Sequence, residues 1–504
     1  MSSNTSRIAQ NTLMLYFRHI VIVLVSLYTV RIVLEILGTE DYGIYNVVGG
    51  IVVLFTFLNA AMTSATQRFL NFALGRNDME LVRNVYSISL VVHALIAVFI
   101  IILAQTAGLY LFYTWLNIPP ERQAAAFVVY QFSVVATAIG ILQVPYRATI
   151  IAYERMSFFA ILSIVEAALK LIIVFLLPVV QFDKLLTYAF FICIAEIIII
   201  LIYKIYCNRT FKTASFRYCR DKELFRQFLG FSGWSFFGSM AIACRDQGTN
   251  ILLNIFLGVT VNAAMGIAMQ VNSAIYRFVN NFQVAFNPQI VKSYSVEDYD
   301  YFIKLIFRTS KISFCLLFFL VLPLYVNADF VLKIWLKNLP EYGVVFTQLM
   351  LLSSLISAIA GPLWMAMQAT GDIKRYQLIV SCFILANLPL ALLVLWRDFS
   401  PVWVLIIRTG LEAIILIWRI FFLGRKIKLP VAGFFYKVII PILIIAGISA
   451  LMTVFLHNFF ISWTRLIVSS FVSTISIACL TYWIGLGKQE RVLVQNWIKT
   501  KFEK

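Results

Sequence analysis

Histidine is nearly missing from this chain. There are three, His19, His93 and His457, too far apart to suggest a metal constellation. The seven cysteines (Cys193, Cys207, Cys219, Cys244, Cys315, Cys382 and Cys479) are odd in number, scattered and never spaced as CxxC. That argues against a disulfide framework or a zinc site. Charge is also scarce. Only 13% of the 504 residues are charged while 62% are hydrophobic, and a soluble protein of this size needs about twice that charge. Acid is the scarcer sign, with 23 Asp and Glu against 41 Lys and Arg. No small-residue cleavage site follows the polar start "MSSNTSRIAQ", so the first hydrophobic segment is expected to act as its own insertion signal.

What is present is long apolar runs. "LVVHALIAVFIIILAQTAGLYLF" (90–112) and "VIIPILIIAGISALMTVFL" (438–456) are long enough to cross a hydrocarbon core, which takes about 20 helical residues. The reading is an all-α polytopic membrane protein of about 14 spans: 11–37, 42–74, 84–114, 122–146, 157–180, 184–203, 227–257, 260–287, 301–327, 342–370, 376–396, 401–418, 433–456 and 461–486. With the N-terminus inside, 28 of the Lys and Arg residues fall in inner segments and 6 in outer loops. This bias fixes both termini as cytoplasmic. The net charge of +18 is then mainly an inner-surface feature facing anionic lipid, with no call for nucleic acid.

The chain also repeats itself. "TWLNIPPE" (114–121) returns as "IWLKNLPE" (334–341), with Trp115, Leu116, Pro120 and Glu121 recurring 220 residues later as Trp335, Leu336, Pro340 and Glu341. "FLN" at 57–59 matches "FVN" at 278–280, offset 221; Pro145 and Ala152 match Pro362 and Ala369, offset 217. Six spans separate the copies, so the halves are parallel. The expected organisation is a six-helix bundle over 1–204, a basic cytoplasmic linker over 205–226, a second six-helix bundle over 227–425, and two extra helices with a basic tail over 426–504. Two such lobes rocking about a central site are one architecture for alternating access. Pro145, Pro288, Pro362 and Pro389 lie in or near spans, where they can kink helices and supply hinges.

Polar residues in the spans form stripes. Asn59, Thr63, Gln67 and Asn71 lie four apart in the second span, beside Thr66. The eighth span carries Asn272, Tyr276, Asn280, Gln283 and Asn287, and the seventh Asp246, Asn250 and Asn254. Each set shares one helix face. Hydrocarbon offers these groups no partner, so each face turns to protein or to a water-filled cavity. Interhelical hydrogen bonding explains one stripe; two stripes on repeat-related helices favour a shared cavity. The seven intramembrane cations are Arg18, Arg31, Arg68, Lys170, Arg245, Arg277 and Arg408. The acids are Glu35, Glu166, Glu196, Asp246 and Glu412. Arg31/Glu35, Glu166/Lys170 and Arg408/Glu412 stand at i,i+4 and can pair locally. Arg18, Arg68 and Arg277 have no such neighbour, and Arg277 lies mid-span. Forked guanidiniums suit phosphate or carboxylate, so these three are candidate ligands for an anion. The alternative for Arg277 is a buried pair with Asp246 or Glu196.

"EILGTEDYGIYNVVGG" (35–50), the region around Arg68, and "LGFSGWSFFGS" (229–239) followed by Asp246 and "FLGVTVNAAMGIA" (256–268) resemble the bacterial polysaccharide-export branch of the multidrug/oligosaccharidyl-lipid/polysaccharide flippase superfamily. The resemblance spans roughly residues 10–425. It implies a V-shaped pair of six-helix bundles in the bacterial inner membrane. It also implies transfer of a polyprenyl-pyrophosphate-linked oligosaccharide from the cytoplasmic to the outer leaflet, driven by a H+ or Na+ gradient with no other cofactor. Membrane lipids, the lipid-linked glycan and polysaccharide-assembly proteins are the implied partners. A drug or cation antiporter of the same fold would favour an acidic cavity. A membrane polymerase would need a large extramembrane loop with catalytic acids; the longest loop here is about two dozen basic residues, so the chain is not expected to be an enzyme.

Overall fold

The computed structural model describes residues 13–485, except scattered positions between 27 and 56 and at 116–117, 218–220, 337–338, 458 and 460–461, together with Arg491. The described residues are almost wholly helical: α1 (Leu13–Ser26), α2 (Phe57–Gly75), α3 (Met79–Leu103), α4 (Leu109–Trp115), α5 (Gln123–Leu142), α6 (Val144–Ala152), α7 (Met156–Leu176), α8 (Lys184–Thr210), α9 (Lys222–Ser295), α10 (Tyr299–Val326), α11 (Ala328–Trp335), α12 (Gly343–Thr370), α13 (Lys374–Trp396), α14 (Val402–Ile427), α15 (Val431–Phe434), α16 (Ile440–His457) and α17 (Ser462–Leu480).

Nine segments among the described residues are long and apolar enough to cross a membrane. The five remaining spans expected from the sequence map to the region of α1, to α2, twice to α9, and to α14. α2, α9 and α14 carry polar stripes or mid-helix charges, and these polar spans hold most of the candidate site residues. The sequence suggests a break near residues 258–259. Instead the backbone is helical from Lys222 to Ser295. Asn250 Nδ2 nevertheless lies 3.6 Å from Met269 Sδ. Nineteen residues of straight helix would span about 28 Å, so α9 folds back on itself and supplies two crossings. Leu253, Val261, Ala264, Met265 and Ala268 share one apolar cluster with Phe346, Ala391 and Val404, which gives the returning arm its packing.

The chain divides into two compact units. One covers Arg7–Ser239 and the other contains Met240–Lys504. In the first, α5 packs on α3 and α8, and α2 packs on α3 and α6. Phe112, Val129, Tyr130, Val134 and Leu185 form a fully buried cluster. Tyr130 satisfies its hydroxyl by donating to Ala104 O at 2.6 Å, a carbonyl in the π-turn over Ala104–Gly108 that also accepts from Leu109 N. In the second unit, α12 packs on α10 and α14, and α13 on α14. α16 and α17 pack on α10 and on each other. Their seam is small and polar: Ser449, Thr453, Ser469, Ser473 and Ser476 are buried, and Asn327 Nδ2 donates to Ser469 Oγ at 2.7 Å. Leu443, Leu451, Phe455 and Phe471 point outward, a surface suited to acyl chains.

A turn recurs at the offset of the Trp115/Trp335 echo. α2 ends and α3 begins through Asn77, held at φ 53°, and Asp78; α9 passes to α10 through Glu297, at φ 61°, and Asp298. Asp78 accepts from Leu81 N at 2.9 Å and Asp298 from Tyr301 N at 3.1 Å. Asp78 N donates to Ala73 O and Asp298 N to Ser293 O, both at 3.1 Å. An aspartate N-cap contributes about 1 kcal/mol, and it offsets the strain of a non-glycine residue in the left-handed region just before it. A second pair, Glu154 (φ 59°) after α6 and Gly371 (φ 80°) after α12, keeps the 217 offset of Pro145 and Pro362.

Candidate functional site

Among the described residues, most of the intramembrane charges gather into one cluster per unit, with Arg68 and Arg277 standing apart. In the first unit, Lys170 Nζ lies 2.7 Å from Glu166 Oε1, one turn away on α7, and 3.5 Å from Glu196 Oε1 on α8. Glu196 Oε2 accepts from Gln143 Nε2 at 2.9 Å. The Phe159 ring has two guanidiniums near it, Arg18 at 4.7 Å and Arg147 at 5.6 Å.

In the second unit the cluster is a closed ring. Arg245 Nε donates to Asp246 Oδ1 at 3.0 Å and its Nη1 to Glu412 Oε1 at 3.1 Å. Arg408 Nη1 donates to the same Asp246 Oδ1 at 3.0 Å, and its Nε lies 3.8 Å from Glu412 Oε1. Ser353 and Ser357, one turn apart on α12, donate to Glu412 Oε2 at 2.5 and 3.2 Å. Two cations and two anions balance. Both arginines are buried, where a lone guanidinium would be costly, and the ring explains how they are tolerated. Tyr276 of α9 lies within electrostatic reach of Glu412 and Arg419, so the eighth-span stripe borders the ring.

The candidate residues divide by environment. Arg68 is buried, with its guanidinium over the rings of Phe69 (4.6 Å), Phe72 (4.9 Å) and Phe231 (5.5 Å). Thr63 and Gln67 are half-buried on α2. Behind them Thr66, Ser89 and His93 form a buried column: Thr66 Oγ1 and Ser89 Oγ are 3.0 Å apart, and His93 Nδ1 donates to Ser89 O at 2.8 Å. The side chains of Asn59 and Asn254, and Arg31 with its expected pair to Glu35, lie outside the described residues. On α9, Asn250, Asn272 and Tyr276 are half-buried, and Arg277 and Asn280 are exposed. Arg277 has no ion-pair partner among the described residues, and Asp246 and Glu196 are both committed elsewhere. Gln283 differs from its neighbours in the stripe. It is buried and donates to Ala358 O at 3.3 Å, so it serves helix packing. A Cβ on Gly361 would meet Gln283 Nε2 at 2.3 Å, which is why glycine stands there.

Sequence reasoning missed Gln143, Arg147, Phe159, Ser353 and Ser357. Gln143 precedes Pro145 in an otherwise apolar stretch, and the 353/357 spacing of two serines was a visible one-turn signal. Among the described residues no three of His, Cys, Asp and Glu converge as metal ligands.

A family model described as polysaccharide biosynthesis protein matches residues 8–296. The chain belongs to that family. Curated proteins offer no match. Among solved structures, this polysaccharide biosynthesis family member is similar to a MATE transporter in complex with MaD3S, at 14% identity and a TM-score of 0.70 over 86% of this chain and 97% of that one. It is also similar to an outward-facing multidrug resistance MATE family transporter of the MOP superfamily, at 13% identity and a TM-score of 0.70, covering 86% and 96%. A MOP superfamily transporter from Pyrococcus furiosus matches at 13% identity and a TM-score of 0.69, covering 86% and 96%. At such identities the likeness establishes the fold. The family member is thus a multi-pass, all-α membrane protein with the MATE fold.

Proposed function

We propose that this protein is a transporter that moves a polyprenyl-pyrophosphate-linked oligosaccharide from the cytoplasmic to the outer leaflet of the bacterial inner membrane, by alternating access of two lobes. The observation that carries this reading is the disposition of charge. Four of the five intramembrane acids, Glu166, Glu196, Asp246 and Glu412, are held in ion pairs, while Arg277 is exposed and unpaired among the described residues. Acids so engaged leave little with which to attract a cationic drug. An exposed mid-span guanidinium suits a diphosphate. Asn272, Tyr276 and Asn280 on the same helix supply the hydrogen-bonding groups a glycan needs, and the lipid tail can stay in the bilayer. Family membership agrees with a role in polysaccharide assembly, and the fold supplies the transport architecture. Coupling to H+ or Na+ belongs to the same proposal.

The test is flipping of a fluorescent polyprenyl-diphosphate oligosaccharide in proteoliposomes holding the purified chain. Arg277→Lys is expected to keep partial flipping, because charge remains while the fork is lost. Arg277→Ala is expected to abolish flipping at unchanged protein level. Full flipping by Arg277→Ala overturns the diphosphate role. Export of a cationic dye in place of lipid flipping would establish a cation antiporter instead.

A further inference from the structure

A cavity of about 710 Å³ opens between the start of α13 and the end of α14, lined by Asp372, Lys374, Arg375, Phe422, Arg425 and Lys426. Four of these six are cations. The one acid, Asp372, is taken by Lys426 Nζ at 2.6 Å. Arg375 and Arg425 are exposed and have no ion-pair partner among the described residues. The cavity therefore presents two open guanidinium forks and an uncancelled positive charge.

Its walls are not uniformly polar. Phe422 stacks on Trp418, one turn earlier on α14, at 4.7 Å, and both rings face Tyr376 of α13, at 6.0 and 5.8 Å. Arg419 lies over the same Tyr376 ring at 5.7 Å. Phe421 is exposed on the flank of α14. An aromatic strip of Trp418, Phe421 and Phe422 thus leads from the cationic mouth along α14, backed by the buried Tyr376 of α13. A soluble anion would use the mouth and leave the strip idle. A ligand with a phosphate at one end and hydrocarbon at the other uses both.

We propose that this cavity binds the headgroup of an anionic phospholipid from the leaflet at the Lys- and Arg-rich end of the spans, with Arg375 and Arg425 gripping the phosphodiester and the acyl chains lying along Trp418, Phe421 and Phe422. None of the residues lining the cavity lies on α9, and the site's failure would leave the flippase proposal untouched. Each basic residue near an anionic surface strengthens the attraction by about 1 kcal/mol, so losing two should weaken binding on the order of thirtyfold.

The experiment is native mass spectrometry of the full purified chain titrated with phosphatidylglycerol or phosphatidylcholine. Phosphatidylglycerol should bind the wild type tightly and phosphatidylcholine weakly. The Arg375→Gln/Arg425→Gln variant should lose binding by about tenfold or more, and the Arg375→Lys/Arg425→Lys variant should fall between. A charge-matched control, Lys204→Gln/Arg209→Gln, should stay near wild type. Excess inorganic phosphate should leave the lipid bound. Equal losses in test and control variants, or no loss in the test variant, would overturn the site. Full displacement by inorganic phosphate would reassign it to a free anion. Should the Gln pair fail to fold, the Lys pair decides: wild-type affinity there overturns the role of the forks.

Discussion

Arg122 Nη1 lies 2.5 Å from Asp183 Oδ2, across 61 residues of chain. The other side of the same guanidinium holds Asp41 Oδ2 at 2.5 Å. One side chain before α5 thus ties the turn before α8 to the segment that follows α1. Asp183 also caps α8, accepting from Leu185 N at 3.0 Å and Leu186 N at 3.1 Å.

This arrangement makes a pH prediction. Burial pulls the Asp183 carboxyl upward, but the hydrogen bond from Arg122 and the amides of Leu186 and Leu185 outweigh it and hold the group below its ordinary value. A depressed carboxylate contributes stability above its unfolded pKa, about 3.9, and loses it as pH falls through the lower folded value. Asp183→Asn keeps a capping oxygen but removes the charge. It should cost about 1 kcal/mol at neutral pH. The gap to wild type should close as the pH drops below the folded pKa. Thermal unfolding in detergent across pH checks this; a gap that persists unchanged into acid would show that charge is not its source.

The ring in the second unit predicts a rescue. Arg245→Gln leaves Asp246 and Glu412 sharing Arg408 alone, and an uncompensated buried charge costs about 3–5 kcal/mol. Adding Glu412→Gln restores the balance and should recover much of the loss. The melting temperature of the monodisperse protein is the readout, for both single variants and the double. Additive losses in the double would mean the two residues act independently.

The packing of Gln283 predicts a coupling of the opposite kind. Gly361→Ala places a methyl against the Gln283 amide, which must swing aside and give up its bond to Ala358 O, a loss of about 1 kcal/mol. In a Gln283→Ala background the space is free, and Gly361→Ala should then cost a few tenths at most, or stabilise. A double-mutant cycle on unfolding temperature measures the difference.

Hydropathy made most of the spans legible, because apolar length alone marks a membrane helix. The polar spans needed more. The fold-back of α9 was marked by the expected break at 258–259, beside Gly258; what the sequence did not show is that the backbone stays helical through it, and the approach of Asn250 to Met269 places the turn there. The repeat was visible through Trp115 and Trp335. Its structural core was not. "RNDME" and "VEDYD" share the capping aspartate and little else, since what recurs at Asn77/Asp78 and Glu297/Asp298 is a backbone conformation with a cap rather than a set of letters. Within the site, Arg408/Glu412 and Glu166/Lys170 could be read from i,i+4 spacing. The engagement of Asp246 by Arg408, 162 residues away, could not, and that contact is what distinguishes a spent acid from an available one.

The ring of Arg245, Asp246, Arg408 and Glu412 also bears on how the chain is made. Each helix carries its own neutral couple, Arg245 beside Asp246 on α9 and Arg408 one turn from Glu412 on α14. Charged residues at the centre of a span cost about 2.5–3.5 kcal/mol each on insertion, and a couple on the same helix softens that cost before any partner helix has arrived. α9 is synthesised and inserted more than a hundred residues ahead of α14. Its couple lets it wait in the bilayer until α14 arrives, when Arg245 reaches Glu412 and Arg408 reaches Asp246. The local couples persist beside the new contacts, so α9 and α14 meet as two self-neutralised helices that share their counterions.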